Sequence, residues 1–82
     1  MPHFTLDARG LKCPLPVLKA RRALDGLGTG DILVVMATDP AAERDFPEFC
    51  AAAGHGIDGL EVAPDGSVTV RITKGPPQSR QD

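Results

Sequence analysis

The sequence predicts a two-layer α/β sandwich of the α+β type, in which two helices cover one face of a mixed four-stranded sheet. Three observations predict this fold. The chain has 82 residues, the size of one domain. Its apolar residues form four short strand-like segments and two longer segments with helical spacing, in the order β-α-β-α-β-β. A helix between the first two strands implies a parallel pair with a right-handed crossover, whereas a turn between the last two implies an antiparallel hairpin.

The first half of the chain supplies a strand, a helix and a second strand. Polar and apolar residues alternate over residues 3–6, which is typical of a half-buried strand. A loop over residues 7–12 leads to a helix that begins around Pro14. The continuous apolar run Ile32–Ala37 predicts a central strand buried on both faces. The helix is expected to bury the apolar residues that recur at helical spacing: Val17, Ala20, Leu24 and Leu27.

The second half supplies another helix and the hairpin. Asp39 followed by Pro40 is a helix-start signal. Because proline interrupts a continuous helix, Pro47 predicts that the helix starts afresh at Asp45, and Gly54 is expected to end it. The helix is expected to bury an apolar stripe of Phe46, Phe49, Cys50 and Ala53. The two hairpin strands are predicted at 60–62 and 68–72, with a turn at 64–66. A single domain is predicted over 1–74, followed by a disordered tail over 75–82.

Composition excludes several classes of protein. Apolar residues make up 41% and charged residues 24% of the chain, as in ordinary globular domains. The longest apolar run is far shorter than the ~20 residues that a membrane span needs. The first residues lack the features of a signal peptide, so we expect a cytoplasmic protein with two reduced cysteines. A net charge of −2 argues against a general nucleic-acid binder, although residues 1–25 carry more basic than acidic side chains.

The most informative segment of the chain is Cys13-Pro14-Leu15-Pro16. A residue before proline avoids the α conformation, so Cys13 is expected to cap the helix, with Pro14 and Pro16 as its first and third residues. The positive end of a helix favours an anion and lowers the pKa of a cysteine there. The sequence therefore predicts an exposed sulfur that is mostly thiolate at neutral pH. Basic residues close in sequence are expected to act in the same direction: Arg9, Lys12 and Lys19.

The rest of the chain offers little further catalytic apparatus. Cys50 lies in the apolar stripe of the second helix and is expected to be a core thiol, whereas His55 follows the helix-ending glycine and is expected to be solvated. No Cys-x-x-Cys pair is present, which disfavours a dithiol centre and a zinc site. Without a base positioned beside Cys13, hydrolysis and acyl transfer are also disfavoured. These features favour a protein that carries a group and does not turn over a substrate alone, and we expect no metal or other cofactor.

The Cys-Pro-Leu-Pro segment and the residues before it resemble the CPxP signature of the TusA (SirA-like) sulfur-carrier family. The resemblance continues through Asp39-Pro40-Ala41 and 44–50, and covers nearly all of residues 4–74. It implies the βαβαββ fold and assigns Cys13 as the residue that carries sulfur as a persulfide. The flanking motif positions are Pro14, Leu15 and Pro16.

The resemblance also implies partners. The sulfur donor would be a cysteine desulfurase or a rhodanese-type protein, and the acceptor a relay protein of the TusBCD or DsrE type. The pathways served by the family are 2-thiolation of tRNA wobble uridine, molybdenum-cofactor synthesis and sulfur oxidation. We expect no direct contact with nucleic acid or membrane. A carrier that offers one cysteine to two partners in turn suits a monomer.

Three charged residues are predicted to contact these partners. The carboxyl ends of two parallel strands share one edge of a sheet, so the loops that hold Cys13 and Asp39 should be neighbours. We expect Lys12, Arg21 and Asp39 to surround the sulfur and to steer partners electrostatically.

Two other functions fit the residues. In the first, the chain is a redox-active thiol protein in which Cys13 oxidises to a sulfenic acid that Cys50 resolves. In the second, it is a non-catalytic binding module that uses its exposed sheet face, for example for RNA. Function that survives Cys13→Ser would favour the binding module.

Overall fold

The computed structural model describes residues 3–76 and has the predicted order of elements. Residues 77–82, most of the predicted tail, lie outside the described residues. No helix within residues 3–76 is both long enough and apolar enough to cross a membrane. The strands and helices are β1 (His3–Ala8), α1 (Leu15–Asp25), β2 (Ile32–Ala37), α2 (Ala42–Ala53), β3 (Gly56–Val62) and β4 (Val68–Thr73).

The four strands form one mixed sheet in the order β1-β2-β4-β3. β1 runs parallel to β2, and β4 runs antiparallel to both β2 and β3. The predicted parallel pair and hairpin are therefore confirmed. In this register Ala8 at the end of β1 pairs with Ala37 at the end of β2, so the two loops that follow start side by side.

The core lies between the sheet and the two helices. α1 buries residues at every fourth position on one face, and α2 does the same, which is the spacing of a single helical face. Complete burial of a large side chain such as Phe46 or Leu24 stabilises the fold by about 1.5–3 kcal/mol. The buried helical residues are Pro16, Ala20 and Leu24 in α1, and Ala42, Phe46 and Cys50 in α2.

The prediction that β2 is buried on both faces was wrong. Leu33, Val35 and Ala37 are buried, whereas Ile32, Val34 and Met36 are only partly buried. The helices pack on one side of the sheet, so alternate residues of β2 face its other side. A continuous apolar run does not distinguish this arrangement from a strand covered twice.

The prediction that α2 restarts at Asp45 was also wrong, because α2 continues through Pro47 without a break. The exposed Pro47 ring lies away from the core, while Phe46 and Cys50 stay buried on either side of it. Packing of the continuous apolar face therefore outweighs the one hydrogen bond that proline cannot donate. Gly54 ends α2 in the left-handed conformation (φ 82°), as predicted.

β3 is longer than predicted and begins at Gly56. Its register against β4 shifts between Ile57 and Gly59, which is a bulge. The bulge pairs Ile57 with Ile72 and Leu60 with Val70, so β3 residues three apart face the core. A search for strict alternation of apolar and polar residues therefore misses the first part of this strand.

Candidate functional site

The candidate site lies at the sheet edge where β1 and β2 both end. Two hydrogen bonds join the loops that follow these strands. The Gly10 amide donates to Thr38 Oγ1 over 2.9 Å, and the Cys13 amide donates to Asp39 Oδ2 over 3.1 Å. The predicted proximity of the two loops is therefore confirmed.

Cys13 is not the residue that caps α1, contrary to the prediction. Pro14 is the cap, α1 begins at Leu15, and Pro16 is its second residue. The Leu15 amide donates to the Lys12 carbonyl over 2.9 Å, so it does not face the Cys13 side chain as a free donor. The Cys13–Pro14 peptide bond is cis. Cys13 thus precedes the helix by two residues and lies beyond the first-turn amides, where an anion is stabilised most.

The Cys13 side chain is partly buried and packs against the core, whereas the sequence predicted an exposed sulfur. Leu11 and Val17 from the same segment also pack against the core. An apolar environment favours the neutral thiol over the thiolate. Burial therefore opposes the ionisation of Cys13 that the sequence analysis predicted.

The charges around Cys13 also differ from those predicted. The carboxylates of Asp39 and Asp45 act on the thiol, and Asp45 does so partly as a hydrogen-bond acceptor. Burial, followed by these carboxylates, raises the pKa of Cys13 from 9.0 to about 11, and the Arg44 guanidinium opposes them only weakly. The neutral thiol is therefore favoured over the thiolate at pH 7. The predicted low pKa is wrong for the free protein.

The basic residues expected to ionise Cys13 have other neighbours. Arg9 forms a two-pronged ion pair with Asp7, with both nitrogen–oxygen distances 2.9 Å. This pair lowers the pKa of Asp7 to about 2. Hydrogen bonds from the Ala41 and Cys13 amides lower the pKa of Asp39, and the charge of the exposed Lys12 acts in the same direction. Lys19 lies on α1 beside an apolar groove.

Asp39 uses both of its carboxylate oxygens within the fold. Oδ1 accepts a hydrogen bond from the Ala41 amide over 2.8 Å, and Oδ2 accepts the one from Cys13. These bonds, with the charge of Lys12, lower the pKa of Asp39. Asp39 therefore holds the Cys13 main chain against the turn that opens α2, in addition to its predicted place beside the sulfur.

Sequence reasoning missed Asp45 as a site residue. It was interpreted as a helix cap, whereas it lies in the first turn of α2, close to Cys13. Its Oδ1 is 3.5 Å from Arg44 Nε, and its side chain is 25% exposed. Asp45 could have been found from the predicted topology, because the parallel strands place the start of α2 next to the Cys13 loop.

Arg21 does not lie beside Cys13. It lies about 9 Å along α1 from Leu15 and lines a cleft of about 490 Å³. In this cleft His55 Nδ1 accepts a hydrogen bond from the Gly75 amide over 2.9 Å, and Lys74 Nζ donates to the Leu24 carbonyl over 2.6 Å. The sequence predicted a solvated His55 side chain. Instead, the ring is partly buried and accepts a hydrogen bond within the fold.

An apolar groove of about 500 Å³ starts two residues from Cys13. Leu15 and Leu18 expose about half of their side chains there, at 48% and 50%. The groove runs between α1 and β1, and basic side chains flank it. Its lining residues are Leu6, Leu15, Leu18, Lys19, Arg22 and Ala23.

Cys50 has the core position that the sequence predicted. It is 2% exposed, and burial raises its pKa to about 11. Both cysteines are free thiols. Within residues 3–76, no three His, Cys, Asp or Glu side chains come together as metal ligands would.

Comparisons with known proteins agree with the fold and with the family that the sequence resembles. Residues 4–74 match the sequence model of a family described as "Sulfurtransferase TusA". Two relatives from Neisseria meningitidis, of serogroups A and B, are named "Putative sulfur carrier protein NMA0882" and "Putative sulfur carrier protein NMB0681". Each is 55% identical over 55 residues, which is 67% of this chain and 74% of the relative.

The fold also matches that of a solved protein. The crystal structure of a SirA-like protein from Desulfitobacterium hafniense superposes with a TM-score of 0.77 at 27% identity, covering 89% of this chain and 99% of the other. The predicted fold is thereby confirmed, with two helices and a mixed four-stranded sheet in the order β-α-β-α-β-β.

Proposed function

Because the chain belongs to the TusA sulfurtransferase family, we propose that it is a sulfur carrier that holds sulfur as a persulfide on Cys13. The observation that supports this most directly is the contrast between the two cysteines. Cys13 is partly exposed at a loop edge of the sheet, whereas Cys50 is sealed in the core. Two relatives that share 55% identity are named as sulfur carriers.

The transfer exchanges one sulfur between two cysteines with no net oxidation. The Cys13 sulfur attacks the terminal sulfur of a donor persulfide, and a new S–S bond forms on Cys13. The donor's own S–S bond breaks, and its cysteine leaves as a thiolate that takes up the proton released by Cys13. In the second step an acceptor thiolate attacks the terminal sulfur on Cys13, which returns to a thiol.

The partners follow from this chemistry. The donor must present a persulfide, as a cysteine desulfurase or a rhodanese-type protein does, and the acceptor must present a thiol, as a TusBCD- or DsrE-type relay protein would. A carrier of this kind needs no metal, no other cofactor and no direct contact with nucleic acid. Two free cysteines suit a reducing compartment, and we propose that the relay operates in the cytoplasm.

The partner surface centres on Cys13 in this proposal. The exposed Leu15 and Leu18 beside it offer apolar area, and the exposed ammonium of Lys12 offers charge. Arg21 belongs to the same surface only at its margin, since it lies further along α1. Asp39 contributes mainly by holding the Cys13 loop.

The redox alternative receives less support. Cys50, the proposed resolving thiol, is buried in the core.

The direct test is the mass of the intact protein after incubation with a cysteine desulfurase and cysteine. The wild-type chain should gain one sulfur atom, and a reducing agent should remove it. Cys13→Ser should gain none, whereas Cys50→Ser should gain sulfur as the wild type does. No gain in the wild type, or an equal gain in Cys13→Ser, would contradict the proposal. A gain of oxygen with peroxide, in place of sulfur with desulfurase, would favour the redox thiol.

A further inference from the structure

The two lateral edges of the sheet are protected to different degrees. β1 lies at one edge and β3 at the other, since the strand order is β1-β2-β4-β3. A strand at an edge presents unpaired amide and carbonyl groups that can pair with another chain, and bulges, charges and prolines usually prevent this. β3 has a bulge between Ile57 and Gly59 and carries Asp58 and Glu61. β3 is therefore a poor template for a further strand.

β1 lacks these protections. Its six residues pair with β2 in an unbroken parallel register, and its sequence contains neither proline nor lysine. Its one carboxylate, on Asp7, is paired with Arg9. Within the part of the chain that the structure describes, β2 is the only strand bonded to β1. The opposite side of β1 is therefore open along about 20 Å, the length of six extended residues.

The apolar groove opens on the same side of the molecule. α1 packs mainly over β1 and β2, whereas α2 packs over β3 and β4, so the flank of α1 away from α2 faces the β1 edge. Leu15 and Leu18 on this flank are half exposed, and Phe4, on the same face of β1 as Leu6, is 40% exposed. Apolar area and unpaired main chain therefore lie side by side.

The charged residues that line this groove are both cations. Lys19 and Arg22 are exposed, and no acidic side chain is among the lining residues. Because α1 connects two parallel strands, it runs opposite to them, so Leu15 lies at the Cys13 end of the groove and Arg22 at the other end. The groove therefore favours a ligand that is apolar at the Cys13 end and acidic at the other.

We propose that an extended segment of a partner protein, apolar at one end and acidic at the other, adds to the sheet as a fifth strand along β1 and places alternate side chains in the groove. In this mode of binding, main-chain hydrogen bonds provide affinity and the pockets for alternate side chains provide specificity. Leu15 is two residues from Cys13, so a segment bound in the groove holds its protein next to the sulfur. The identity of that protein as a sulfur donor or acceptor rests on the proposed function, whereas the binding of the segment does not.

Two other occupants fit the groove less well. A second copy of this chain, paired through β1, would bring two further cations, its own Lys19 and Arg22, to a surface that is already positive. Residues 77–82 of the chain include no large aliphatic or aromatic side chain that would fill the groove. An acidic and apolar segment of another protein meets both requirements.

The test measures the binding of two fluorescent peptides to the intact protein by anisotropy. In the first peptide threonine alternates with two valines and then with two glutamates, and in the second the valines and glutamates exchange places, so that each direction of strand addition has a matching probe. We expect one of the two to bind, and its version with lysine in place of glutamate to bind about tenfold more weakly. No binding of either peptide at about 1 mM would overturn the proposal.

Matched variants locate the binding site. Leu18→Ser should weaken binding about fivefold, whereas Val62→Ser, which removes a comparably exposed side chain from the β3 edge, should leave it unchanged. Lys19→Glu combined with Arg22→Glu should invert the preference, so that the lysine peptide binds better than the glutamate peptide. Wild-type affinity in Leu18→Ser, or an unchanged preference in the double variant, would contradict the proposed site.

Main-chain pairing with β1 gives a periodic signature. Methylation of the peptide amides at one alternate set of residues should abolish binding, and methylation at the other set should not, because only one set faces β1. The bound peptide should also slow hydrogen exchange at alternate amides of β1. Binding that tolerates both methylations, or that leaves exchange in β1 unchanged, would refute the fifth strand. A dimer of the free protein with the same protected amides would assign the edge to a second copy and would also refute it.

Sulfur transfer separates this inference from the proposed function. Excess peptide should slow either the uptake of sulfur from a cysteine desulfurase or its release to an acceptor protein, and unchanged rates in both steps would refute the identity given to the partner. A wild-type protein that takes up no sulfur would refute the proposed function and leave the peptide measurements standing. Sulfur uptake by a protein that binds neither peptide would overturn the fifth strand alone.

Discussion

Cys13 and Cys50 have pKa values raised to about 11 for different reasons. Burial alone acts on Cys50, and only unfolding can reverse it. At Cys13 burial is joined by the charges of Asp39 and Asp45. The same pKa therefore has a single cause at Cys50 and two kinds of cause at Cys13.

His55 provides a prediction at the same scale. Burial and the charge of Lys74 lower the pKa of His55 below its ordinary 6.5, although Asp25 opposes them. The neutral ring accepts the Gly75 amide at Nδ1, and a protonated ring cannot. The stabilisation is therefore fully present above pH 6.5 and is lost as the pH falls below 6.5 towards the folded-state value.

We expect the urea midpoint of the wild type to fall more steeply than that of His55→Asn between neutrality and about pH 5. Asparagine offers Oδ1 in place of Nδ1 and does not titrate. His3→Asn, which keeps His55, should retain the wild-type slope. Parallel curves for the wild type and His55→Asn would contradict the role of the ring.

Among the elements, α2 departs most from what its sequence suggests. Pro47 within α2 leaves the Glu43 carbonyl without its usual partner, and the helix persists because Phe46 and Cys50 are buried on the opposite side. Local propensity is a weak constraint where a continuous apolar face packs on a sheet.

Pro47→Ala should stabilise the protein. Alanine restores the amide that donates to the Glu43 carbonyl, and removal of the exposed proline ring loses no contact with the core. The gain is reduced by the greater freedom of the unfolded chain, which leaves about 1–2 kcal/mol. Chemical denaturation measures it, with the exposed neighbour Glu48→Ala as a control that should change little. A loss of stability in Pro47→Ala would mean that the ring stabilises the helix start.

The elements also show where sequence patterns stop being sufficient. The order of elements, the helix end at Gly54 and the pairing of β1 with β2 all follow from turn residues and periodicity. The bulge in β3 does not, because the shift between Ile57 and Gly59 replaces alternation by a spacing of three. The start of α1 was also predicted wrongly, because Pro14 can occupy either the cap or the first helical position.

Across the whole molecule, Cys13 and the cleft around His55 lie towards opposite ends of α1. A standard interface buries about 800 Å² of each partner, which as a disc has a radius of about 16 Å. Arg21 lies about 9 Å along α1 from Leu15, the first helical residue after Cys13 and Pro14. A partner centred on the sulfur therefore reaches both Lys12 and Arg21, although only Lys12 is close to it.

Charge reversal tests this footprint. Lys12→Glu and Arg21→Glu should each slow sulfur transfer from the donor protein by about three- to tenfold at low salt, and added salt should shrink the difference. Arg71→Glu carries the same change of charge on the sheet face away from the helices and should transfer as the wild type does. Transfer rates that stay at the wild-type level in the Lys12→Glu, Arg21→Glu double variant would refute the predicted contacts.

The chemistry of the site was less predictable than its location. Cys13, its proline neighbours and the adjacent Asp39 loop can all be found in the sequence, because the parallel strands bring their loops together. The sign of the pKa shift could not be found there. It depends first on burial, which a one-dimensional pattern does not record, and then on Asp45, which is far from Cys13 in sequence.

The hydrogen bond from the Cys13 amide to Asp39 ties this stretch of main chain to the neighbouring loop. A second hydrogen bond, from the Gly10 amide to Thr38, ties the same loop to the end of β2. If sulfur passes through Cys13, we therefore expect a partner to bring its own cysteine to this edge of the sheet.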